Sequence, residues 1–380
     1  MHIGVCGPAT LSSLQQFFSQ RILTGGYPFP GTSELIKKYI EKGHRVSLIT
    51  TATDIRYPMS YHSPSLNVYI IPSRPRARDR ALDFFAAERR GILNALRSAR
   101  PEVIHAHWTY EFGLAARASG VPSVLTVHDW APAIARLNRH PYWYFRAAMQ
   151  ILCLIRPGQT TAPSAYVADR VTKYFRRRCI VVGNGFDLAR YAGVRKLEAE
   201  RFNVGMLNVG FSSRKNVKTA IEAWPAVRTI WPTAFLRLAG PDYQIGGPAW
   251  KFANDNGLEG GVIFEGVIDS QDVPGWFQSK NLFLHTSLEE SFGMVIGEAM
   301  ASGTPVVAGA DSGAVAEITK GAAVLTDVRS TEAVSQAVIN TLGDPALLES
   351  MTQKGIRAAE SFSLSRVADE YLDLLASCRT

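Results

Sequence analysis

The feature that most constrains this chain is the alternation of short apolar runs with longer helical patterns along most of its length. The runs in the first half include "HIGVC", "RVSLITT", "NVYIIP", "EVIHAHW", "SVLTVHD" and "CIVVGNG". Those in the second half include "VGMLNVG", "AFLRLAG", "VIFEG", "LFLHTS", "PVVAG" and "AAVLTD". Helical stretches such as "TSELIKKYIEKG", "YVADRVTKYF" and residues 215–230, 292–302 and 330–342 lie between them. Repeated strand–helix–strand units predict parallel sheets that are covered by helices on both faces.

The chain has 380 residues, a length that suggests two domains. The polar stretch "ARYAGVRKLEAERFN" carries no strand signal and marks a boundary. We expect two Rossmann-like, doubly wound α/β domains, at 1–190 and 204–362, with a last helix at 363–380 that packs back on the first domain. Ligands of such sheets bind beyond the carboxyl ends of the strands, so we expect the site in a cleft that both domains face.

Composition excludes several other classes of protein. The hydrophobic content of 46% and charged content of 19% are typical of a globular protein with sizeable cores. The four cysteines are far apart without metal-ligand spacing, which indicates reduced thiols. The start "MHIGVCG" is interpreted as a first strand and not as a signal peptide. We therefore expect a cytoplasmic protein without a transmembrane helix.

Two carboxylates flank a strand-to-helix junction in "EESFGMVIGEAM", residues 289–300. With a helix that begins near Ser291 or Phe292, the step from Glu290 to Glu298 spans roughly 12 Å. That is longer than the ~5–9.5 Å between glycosidase carboxylates. It suits two hydroxyl-rich groups on either side of a diphosphate that lies at the helix N-terminus near Gly293. The alternative is a pair of solvated acids at the helix end.

Two further segments place polar side chains where strands end. "LNVGFSSRKN" contains Gly210 and puts Arg214 and Lys215 between a strand and a helix, at the carboxyl edge of the second sheet. The alternative, an ordinary basic helix start, is disfavoured by the helix dipole. "SVLTVHD" ends in His128, for which the alternative is a histidine bonded to local backbone. His105 and His107 share one strand face without a third metal ligand.

The stretch from Glu290 to Glu298, followed by "AMASGTPVVAGADSGAVAEI", resembles the E-x7-E signature of the family-4 retaining glycosyltransferases of the GT-B fold. "GHRVSLIT", "PEVIHAHW", "GVPSVLTVHD" and "VVGNGFDLARY" resemble segments of that family's acceptor domain. "LNVGFSSRKNVKTAIEAW" resembles the opening of its donor domain, although an arginine often follows the glycine where this chain has Phe211. The number and order of these segments make the resemblance strong.

The resemblance implies a role for each matching residue. Glu298 would bind the ribose hydroxyls and Glu290 the transferred sugar, while Lys215 with Arg214 would neutralise the leaving diphosphate. The donor would further contact Gly210 and the backbone of residues that match the helix start, namely Phe292, Gly293 and Met294. His128 would contact the donor sugar. In the loop "LTGGYPFPGTSE", Gly26 is preferred over Gly31 as the glycine that lets the donor phosphates approach.

The chain contains no Asp-x-Asp motif, which metal-dependent glycosyltransferases of the other major fold use to hold a divalent ion. We therefore expect no metal and no cofactor, with cations and a helix N-terminus stabilising the departing diphosphate. Retention by a front-face route, in which the departing phosphate accepts the acceptor's proton, is implied by the resemblance.

Charge is distributed unevenly between the halves. Residues 1–190 contain 25 lysines and arginines against 11 acidic residues, whereas residues 191–380 contain 16 against 22. The aromatic and aliphatic stretch "HPYWYFRAAMQILCLIRPG" lies among the arginines of the basic half. This combination favours peripheral contact with an anionic membrane or a lipid-linked acceptor. The alternative is a buried helix surrounded by solvated charges. No motif of a nucleic-acid-binding protein accompanies the charge.

The leading hypothesis is a hexosyltransferase that uses a UDP- or GDP-sugar to build a cell-surface polysaccharide or glycolipid. A nucleotide-sugar epimerase of the same fold is the first alternative, although it would need no basic acceptor half. A non-catalytic nucleotide-sugar-binding module is the second, although such a module would be expected to have lost Glu290, Glu298 or Lys215. An oxidoreductase is disfavoured because "GVCGPA" is not a G-x-G-x-x-G turn.

Overall fold

The computed structural model describes residues 1–27, 29–193, 197 and 201–379. The chain forms two compact units: unit 1 comprises residues 1–186 and 364–380, and unit 2 comprises residues 187–363. The sequence-based boundary fell between residues 190 and 204. Of that segment, residues 194–196 and 198–200 lie outside the described residues.

Unit 1 contains a sheet of eight strands in the order β3-β4-β2-β1-β5-β6-β7-β8. The strands are β1 (His2–Cys6), β2 (Arg45–Ala52), β3 (Met59–His62), β4 (Leu66–Pro72), β5 (Val103–His107), β6 (Ser123–Thr126), β7 (Gln159–Ala162) and β8 (Ile180–Val181). Neighbouring strands are parallel except that β3 is antiparallel to β4. The helices are α1 (Pro30–Glu41), α2 (Ala77–Ala81), α3 (Ala86–Ala99), α4 (Glu111–Ala118), α5 (Ala131–Asn138), α6 (Pro141–Leu154) and α7 (Ala165–Phe175).

Unit 2 contains a fully parallel sheet of six strands in the order β11-β10-β9-β12-β13-β14. The strands are β9 (Phe202–Leu207), β10 (Ala234–Ala239), β11 (Val262–Gly266), β12 (Leu282–His285), β13 (Val306–Gly309) and β14 (Ala323–Thr326). The helices are α8 (Val217–Ile230), α9 (Pro248–Asp255), α10 (Val273–Gln278), α11 (Met294–Ala301), α12 (Val315–Thr319), α13 (Thr331–Leu342) and α14 (Pro345–Glu360).

The last helix, α15 (Leu364–Ser377), belongs to unit 1 although it follows all of unit 2 in the chain. It packs against α1, β5 and β6. Tyr371 and Leu375 are buried in the same apolar cluster as Ile3 and Leu48 of the central strands. The core of unit 1 is therefore completed by a segment that follows unit 2 in the sequence.

Central strands of both sheets are buried on both faces, which explains why their sequences are continuous apolar runs. The helices begin where the sequence supplies capping groups. The side chains of Ser164, Ser330 and Asp344 each accept a hydrogen bond from the third residue of the helix that follows. The predicted fold class, two parallel-sheet α/β domains, is confirmed.

Within the described part of the chain, every helix is too short or too polar to cross a lipid bilayer.

Candidate active site

Eight of the ten predicted site residues lie in unit 2, in loops that follow β9 and β12 and in helix α11. The other two, Gly26 and His128, lie in unit 1. β9 and β12 are paired neighbours in the parallel sheet, so their carboxyl ends meet at one edge. The structure thus brings the predicted residues together in two groups, each within its own unit.

Lys215 and Glu290 form the centre of the unit 2 group. Lys215 Nζ donates to Glu290 Oε1 over 2.5 Å, and each side chain is only 11% exposed. Arg214 Nη1 lies 3.7 Å from the same carboxylate oxygen and donates to the carbonyl of Glu289 over 3.0 Å. Two cations therefore converge on one acid where β12 leads toward α11.

Backbone contacts fix this convergence. The amide of Leu288 donates to the carbonyl of Arg214 over 2.8 Å. The hydroxyl of Thr286 donates to the carbonyls of Lys215 and Asn216 over 3.2 and 3.0 Å. Because both loops are tied in this way, the cations and the acid are positioned before any ligand binds.

The backbone of Glu290 is held from its other side by the segment after β13. Glu290 N donates to the carbonyl of Ser312 over 3.2 Å, and Ala314 N donates to the carbonyl of Glu290 over 2.8 Å. Gly313 lies between them with φ of +72°, and a Cβ atom there would collide with the Glu290 carbonyl. A glycine is needed at this position for both conformation and space.

The groups around Glu290 keep its carboxylate ionised. Burial favours the neutral acid, but Lys215, His285 and Arg214 hold the pKa of Glu290 well below its usual range. Burial also lowers the pKa of His285, although Glu290 opposes this effect. His285 is the last residue of β12, and its Nε2 lies 3.4 Å from Glu290 Oε1. The centre therefore holds a carboxylate that faces two cations and the imidazole of His285.

Helix α11 begins at Met294, so the prediction that it begins at Ser291 or Phe292 was wrong by two to three residues. Gly293 has φ of +85°, a left-handed conformation that delays the helix until the next residue. The Phe292 side chain is buried against the ring of Phe362, with centroids 5.2 Å apart. Phe292, Gly293 and Met294 thus lead the backbone into the positive end of the helix dipole.

Glu298 lies in α11 and is partly exposed. The hydroxyl of Tyr191 donates a hydrogen bond to its carboxylate. Burial raises the pKa of Glu298, while Tyr191 and Arg190 oppose the rise. The carboxylate of Glu298 thus already accepts a hydrogen bond from a hydroxyl group, which is the type of contact that a sugar hydroxyl would make.

Gly210 follows β9 in a left-handed conformation with φ of +82°. Its carbonyl accepts a hydrogen bond of 2.8 Å from the Tyr243 hydroxyl. The next amide, that of Phe211, donates to Asp242 Oδ2 over 3.1 Å. The loop that precedes Arg214 and Lys215 is therefore anchored to the residues after β10.

In unit 1, His128 lies just beyond β6 and forms a histidine pair with His107. His107 Nδ1 and His128 Nε2 are 2.9 Å apart, and their rings stack with centroids separated by 5.1 Å. His105 lies beside His107 and bonds to Tyr39 and Thr126 over 2.9 Å each. Burial lowers the pKa of His128 to about 4 and that of His105 to about 3. Both imidazoles are neutral near pH 7.

Gly26 has φ of +68°, and its amide donates to Thr24 Oγ1 over 3.2 Å. A Cβ atom there would lie 2.9 Å from Leu11 Cγ. Gly31 lies inside α1, where a Cβ atom would meet only the ring of Phe29 at 3.5 Å. Conformation thus demands glycine at Gly26 and tolerates other residues at Gly31. Phe29 links this loop to His128, since their ring centroids are 5.8 Å apart.

Sequence reasoning missed two members of these groups and understated a third. Tyr191 lies more than one hundred residues before Glu298, and nothing in its local sequence indicates the contact. His285 ends a predicted strand next to the acidic segment, a position that could have drawn attention to it. His107 was noted, but its bond to His128 depends on the register of β5 and β6. Among the described residues, no group of three or more His, Cys, Asp or Glu side chains is arranged to hold a metal ion.

Two family models match the chain. The model described as Glycosyltransferase Family 4 matches residues 31–190, and the one described as Glycosyl transferases group 1 matches residues 202–344. This chain is a family-4 glycosyltransferase of the GT-B fold. It is 29% identical to the lipopolysaccharide core biosynthesis glycosyltransferase LpsE of Rhizobium meliloti over 294 aligned residues. The alignment covers 75% of this chain and 79% of LpsE.

Solved structures share the fold of this family-4 glycosyltransferase. Sucrose-phosphate synthase from Thermosynechococcus elongatus superposes with a TM-score of 0.79 at 17% identity, covering 99% of this chain and 98% of that one. Anabaena Alr3699/HepE in complex with UDP-glucose superposes with a TM-score of 0.70 at 18% identity. The superposition covers 99% of this chain and 100% of that one.

Proposed function

We propose that this family-4 glycosyltransferase transfers a sugar from a nucleotide-diphosphate sugar to a hydroxyl of a glycan or lipid-linked acceptor in cell-surface polysaccharide or glycolipid biosynthesis. The observation that carries the proposal is the convergence of Lys215 and Arg214 on Glu290, directly before the N-terminus of α11. A diphosphate needs such cations, and a pre-positioned pair stabilises the negative charge that grows as the sugar departs. The names of LpsE and of the UDP-glucose complex of HepE support the donor and acceptor classes.

In this proposal Glu298 accepts hydrogen bonds from the ribose hydroxyls in place of the Tyr191 hydroxyl. Glu290 contacts the transferred sugar, and Gly293 allows the phosphates to approach the amides that open α11. Lys215 turns from Glu290 toward the diphosphate. Gly210 and Gly26 let donor phosphates approach their loops, and His128 offers a neutral imidazole to the donor sugar. The reaction proceeds with retention by a front-face route, in which the departing phosphate accepts the acceptor's proton. It needs no metal ion, because the cations of the chain stabilise the departing diphosphate.

The test combines donor screening with product analysis. A panel of UDP- and GDP-sugars is incubated with the protein and lipid-linked saccharide acceptors, with and without a chelator, and nucleoside diphosphate release is measured. We expect acceptor-dependent release that survives chelation and a product whose anomeric configuration matches that of the donor. Conversion of the nucleotide sugar to its epimer without any acceptor would instead support the epimerase alternative. Binding without turnover would support the non-catalytic alternative.

We further propose that the basic unit 1 rests on the cytoplasmic face of an anionic membrane. Helix α6 and its C-cap residue expose Tyr144, Leu152 and Ile155, with exposed fractions between 43% and 56%. Arg156 follows them and is exposed. Apolar side chains beside arginines suit insertion at an anionic interface, where each basic residue contributes ~1 kcal/mol. Flotation with acidic or neutral vesicles across a salt series tests this: binding that ignores lipid charge would contradict it.

A further inference from the structure

A groove in unit 1 contains none of the predicted site residues. It encloses about 560 Å³ between α5, α6 and α7, a size typical of pockets for small ligands. Its lining is mainly aromatic and basic and includes Trp130, Arg136, Tyr166, Arg170, Tyr174 and Phe175. Trp130 follows His128 by two residues, so the groove begins where the polypeptide leaves the carboxyl end of β6.

One wall of the groove is a stripe on α7. Tyr166, Arg170 and Tyr174 are spaced four residues apart, which places them on one face of the helix. The ring of Tyr174 stacks on Trp130 with centroids 5.5 Å apart and an angle of 23° between the rings. Tyr174 is 65% exposed whereas Trp130 is 7% exposed. An exposed ring backed by a buried one is a rigid, flat surface on which the C–H face of a sugar ring can stack.

The groove also contains two guanidinium groups. Arg170 lies 3.5 Å above the ring centre of Tyr166, and its Nη1 donates to the Tyr166 carbonyl over 2.7 Å. These contacts fix the guanidinium, while its other N–H groups make no hydrogen bond to any described residue. Arg136 on α5 is exposed and makes neither an ion pair nor a hydrogen bond within the described part of the chain. The lining contains no aspartate or glutamate.

We propose that this groove binds an anionic saccharide, a sugar ring that carries a phosphate or a carboxylate, as part of the acceptor. The stacked tyrosine supplies the surface for the ring, and the two arginines supply planar donors that match an oxyanion. The concave shape and the buried floor at Trp130 suit a discrete ligand better than a flat bilayer. The assignment to the acceptor rests on the proposed function, because a glycosyltransferase needs a second saccharide site for its acceptor.

The test measures binding to the full chain by calorimetry and saturation-transfer NMR. The probes are glucose 6-phosphate, glucuronic acid, glucose and inorganic phosphate. We expect both anionic sugars to bind more tightly than glucose or phosphate. Arg136→Gln and Arg170→Gln should each weaken the anionic sugars about tenfold and leave glucose unchanged. Tyr174→Ala should weaken all three sugars.

Arg97→Gln is the matched control, since Arg97 is an exposed arginine of α3 outside the groove. It should bind every probe as the wild type does. The proposal is overturned if phosphate binds as tightly as glucose 6-phosphate, if none of the sugars binds, if the groove variants bind every probe unchanged, or if Arg97→Gln weakens binding equally. Flotation with anionic vesicles is measured on the same variants. The proposal is also overturned if Arg170→Gln weakens binding to these vesicles but leaves binding of both anionic sugars unchanged.

Donor binding separates this proposal from the proposed function. UDP-sugar affinity and the slow hydrolysis of the donor without acceptor should be unchanged in the groove variants. Their side chains belong neither to the Lys215 group nor to Gly26 and His128, the unit 1 residues proposed to contact the donor. A protein that binds glucose 6-phosphate through Arg170 but no nucleotide sugar would refute the glycosyltransferase proposal and keep the groove as a saccharide site. A protein that turns over a nucleotide sugar but binds neither glucose 6-phosphate nor glucuronic acid would refute the groove proposal and keep the glycosyltransferase proposal.

Discussion

The Lys215–Glu290 pair of unit 2 and the His107–His128 pair of unit 1 are both largely buried, but only the first pair is charged. Glu290 keeps its charge because Lys215, at 2.5 Å, and Arg214 hold the pKa of this carboxyl well below its usual range. His107 and His128 have neighbours that are themselves titratable bases, so burial removes their charge. The difference indicates what each of these two groups can bind: the fixed charges around Glu290 suit a diphosphate, and the neutral donors and acceptors around His128 suit sugar hydroxyls.

The largest expected effect comes from breaking the charged pair. In Lys215→Met we expect turnover to fall by about 10²–10³-fold, because a pre-positioned cation no longer stabilises the leaving diphosphate. The free energy of unfolding should fall by roughly 3 kcal/mol, because Glu290 becomes a buried charge without its main partner. Steady-state kinetics and urea unfolding measure the two effects.

The control for that variant is Lys215→Met combined with Glu290→Gln. It removes both charges, so most of the lost stability should return while turnover stays low. Wild-type turnover in Lys215→Met, or a double variant as unstable as the single one, would show that the pair does not act as described.

The second prediction uses pH to compare the units. The pKa of His128 is about 4 in the folded protein and ~6.5 when unfolded, so the unfolded chain binds more protons between these values. Stability should therefore fall as pH drops from about 6.5 to about 4, by up to ~3 kcal/mol for this group alone. Glu290 has a lowered pKa, so its contribution stays intact over most of this window and is lost only as pH falls through its folded value.

Hydrogen exchange of peptides from β6 and β12, corrected for intrinsic rates, would locate the loss. Unit 1 should weaken first, since Glu290 opposes the corresponding effect of His285 in unit 2. His128→Asn should reduce the acid dependence of unit 1, while His105 and His107 keep their share of it. Equal weakening of the two units in the wild type would remove the contrast between them.

A third prediction concerns Glu298, whose pKa is raised by burial. Glu298→Gln should weaken UDP-sugar affinity by about 10–30-fold, because hydrogen bonds from ribose to a carboxylate are stronger than those to an amide. Turnover at saturating donor should change little. Tyr191→Phe keeps the carboxylate and should leave affinity within about threefold of the wild type. Calorimetry with UDP measures both, and an unaltered affinity in Glu298→Gln would remove the ribose assignment.

The smallest expected effect is that of His107→Phe, which deletes the partner of His128 Nε2. We expect turnover to fall about fivefold, the value of roughly one hydrogen bond, with donor affinity unchanged. His107→Asn, which can still bond to the imidazole, should recover part of the rate. A fall in donor affinity equal to the fall in rate would indicate a general structural defect instead of lost positioning.

The sequence predicted most strands closely because buried parallel strands are continuous apolar runs. "HIGVC" coincides with β1, and "AFLRLAG" and "VIFEG" coincide with β10 and β11 to within one residue. It missed β7, whose residues "QTTA" are polar. Thr161 there pairs with Thr126 across the sheet at 2.9 Å, so a hydroxyl contact replaces the apolar signal. The short antiparallel β3 was missed as well, since it contributes a single buried side chain, Tyr61.

The candidate site was predictable to the extent that it is local in sequence. The residues from Glu290 to Glu298 share one segment, and their spacing alone suggested two groups of hydroxyls around a diphosphate. The contacts of Glu298 with Tyr191 and of Glu290 with Lys215 join distant segments, so only the fold reveals them. The start of α11 was misplaced because Gly293 adopts positive φ, which its letter permits but does not require.

Helix α15 has a consequence for how the molecule is made. Tyr371 packs its ring 4.3 Å from that of His105 and accepts a hydrogen bond from Thr126, so a buried wall of unit 1 is supplied by a segment that is synthesised after all of unit 2. All of residues 187–363 are synthesised in the interval. At ~5–20 residues per second, the nascent first half waits roughly ten seconds or more with its apolar wall uncovered, a window in which chaperones would find it.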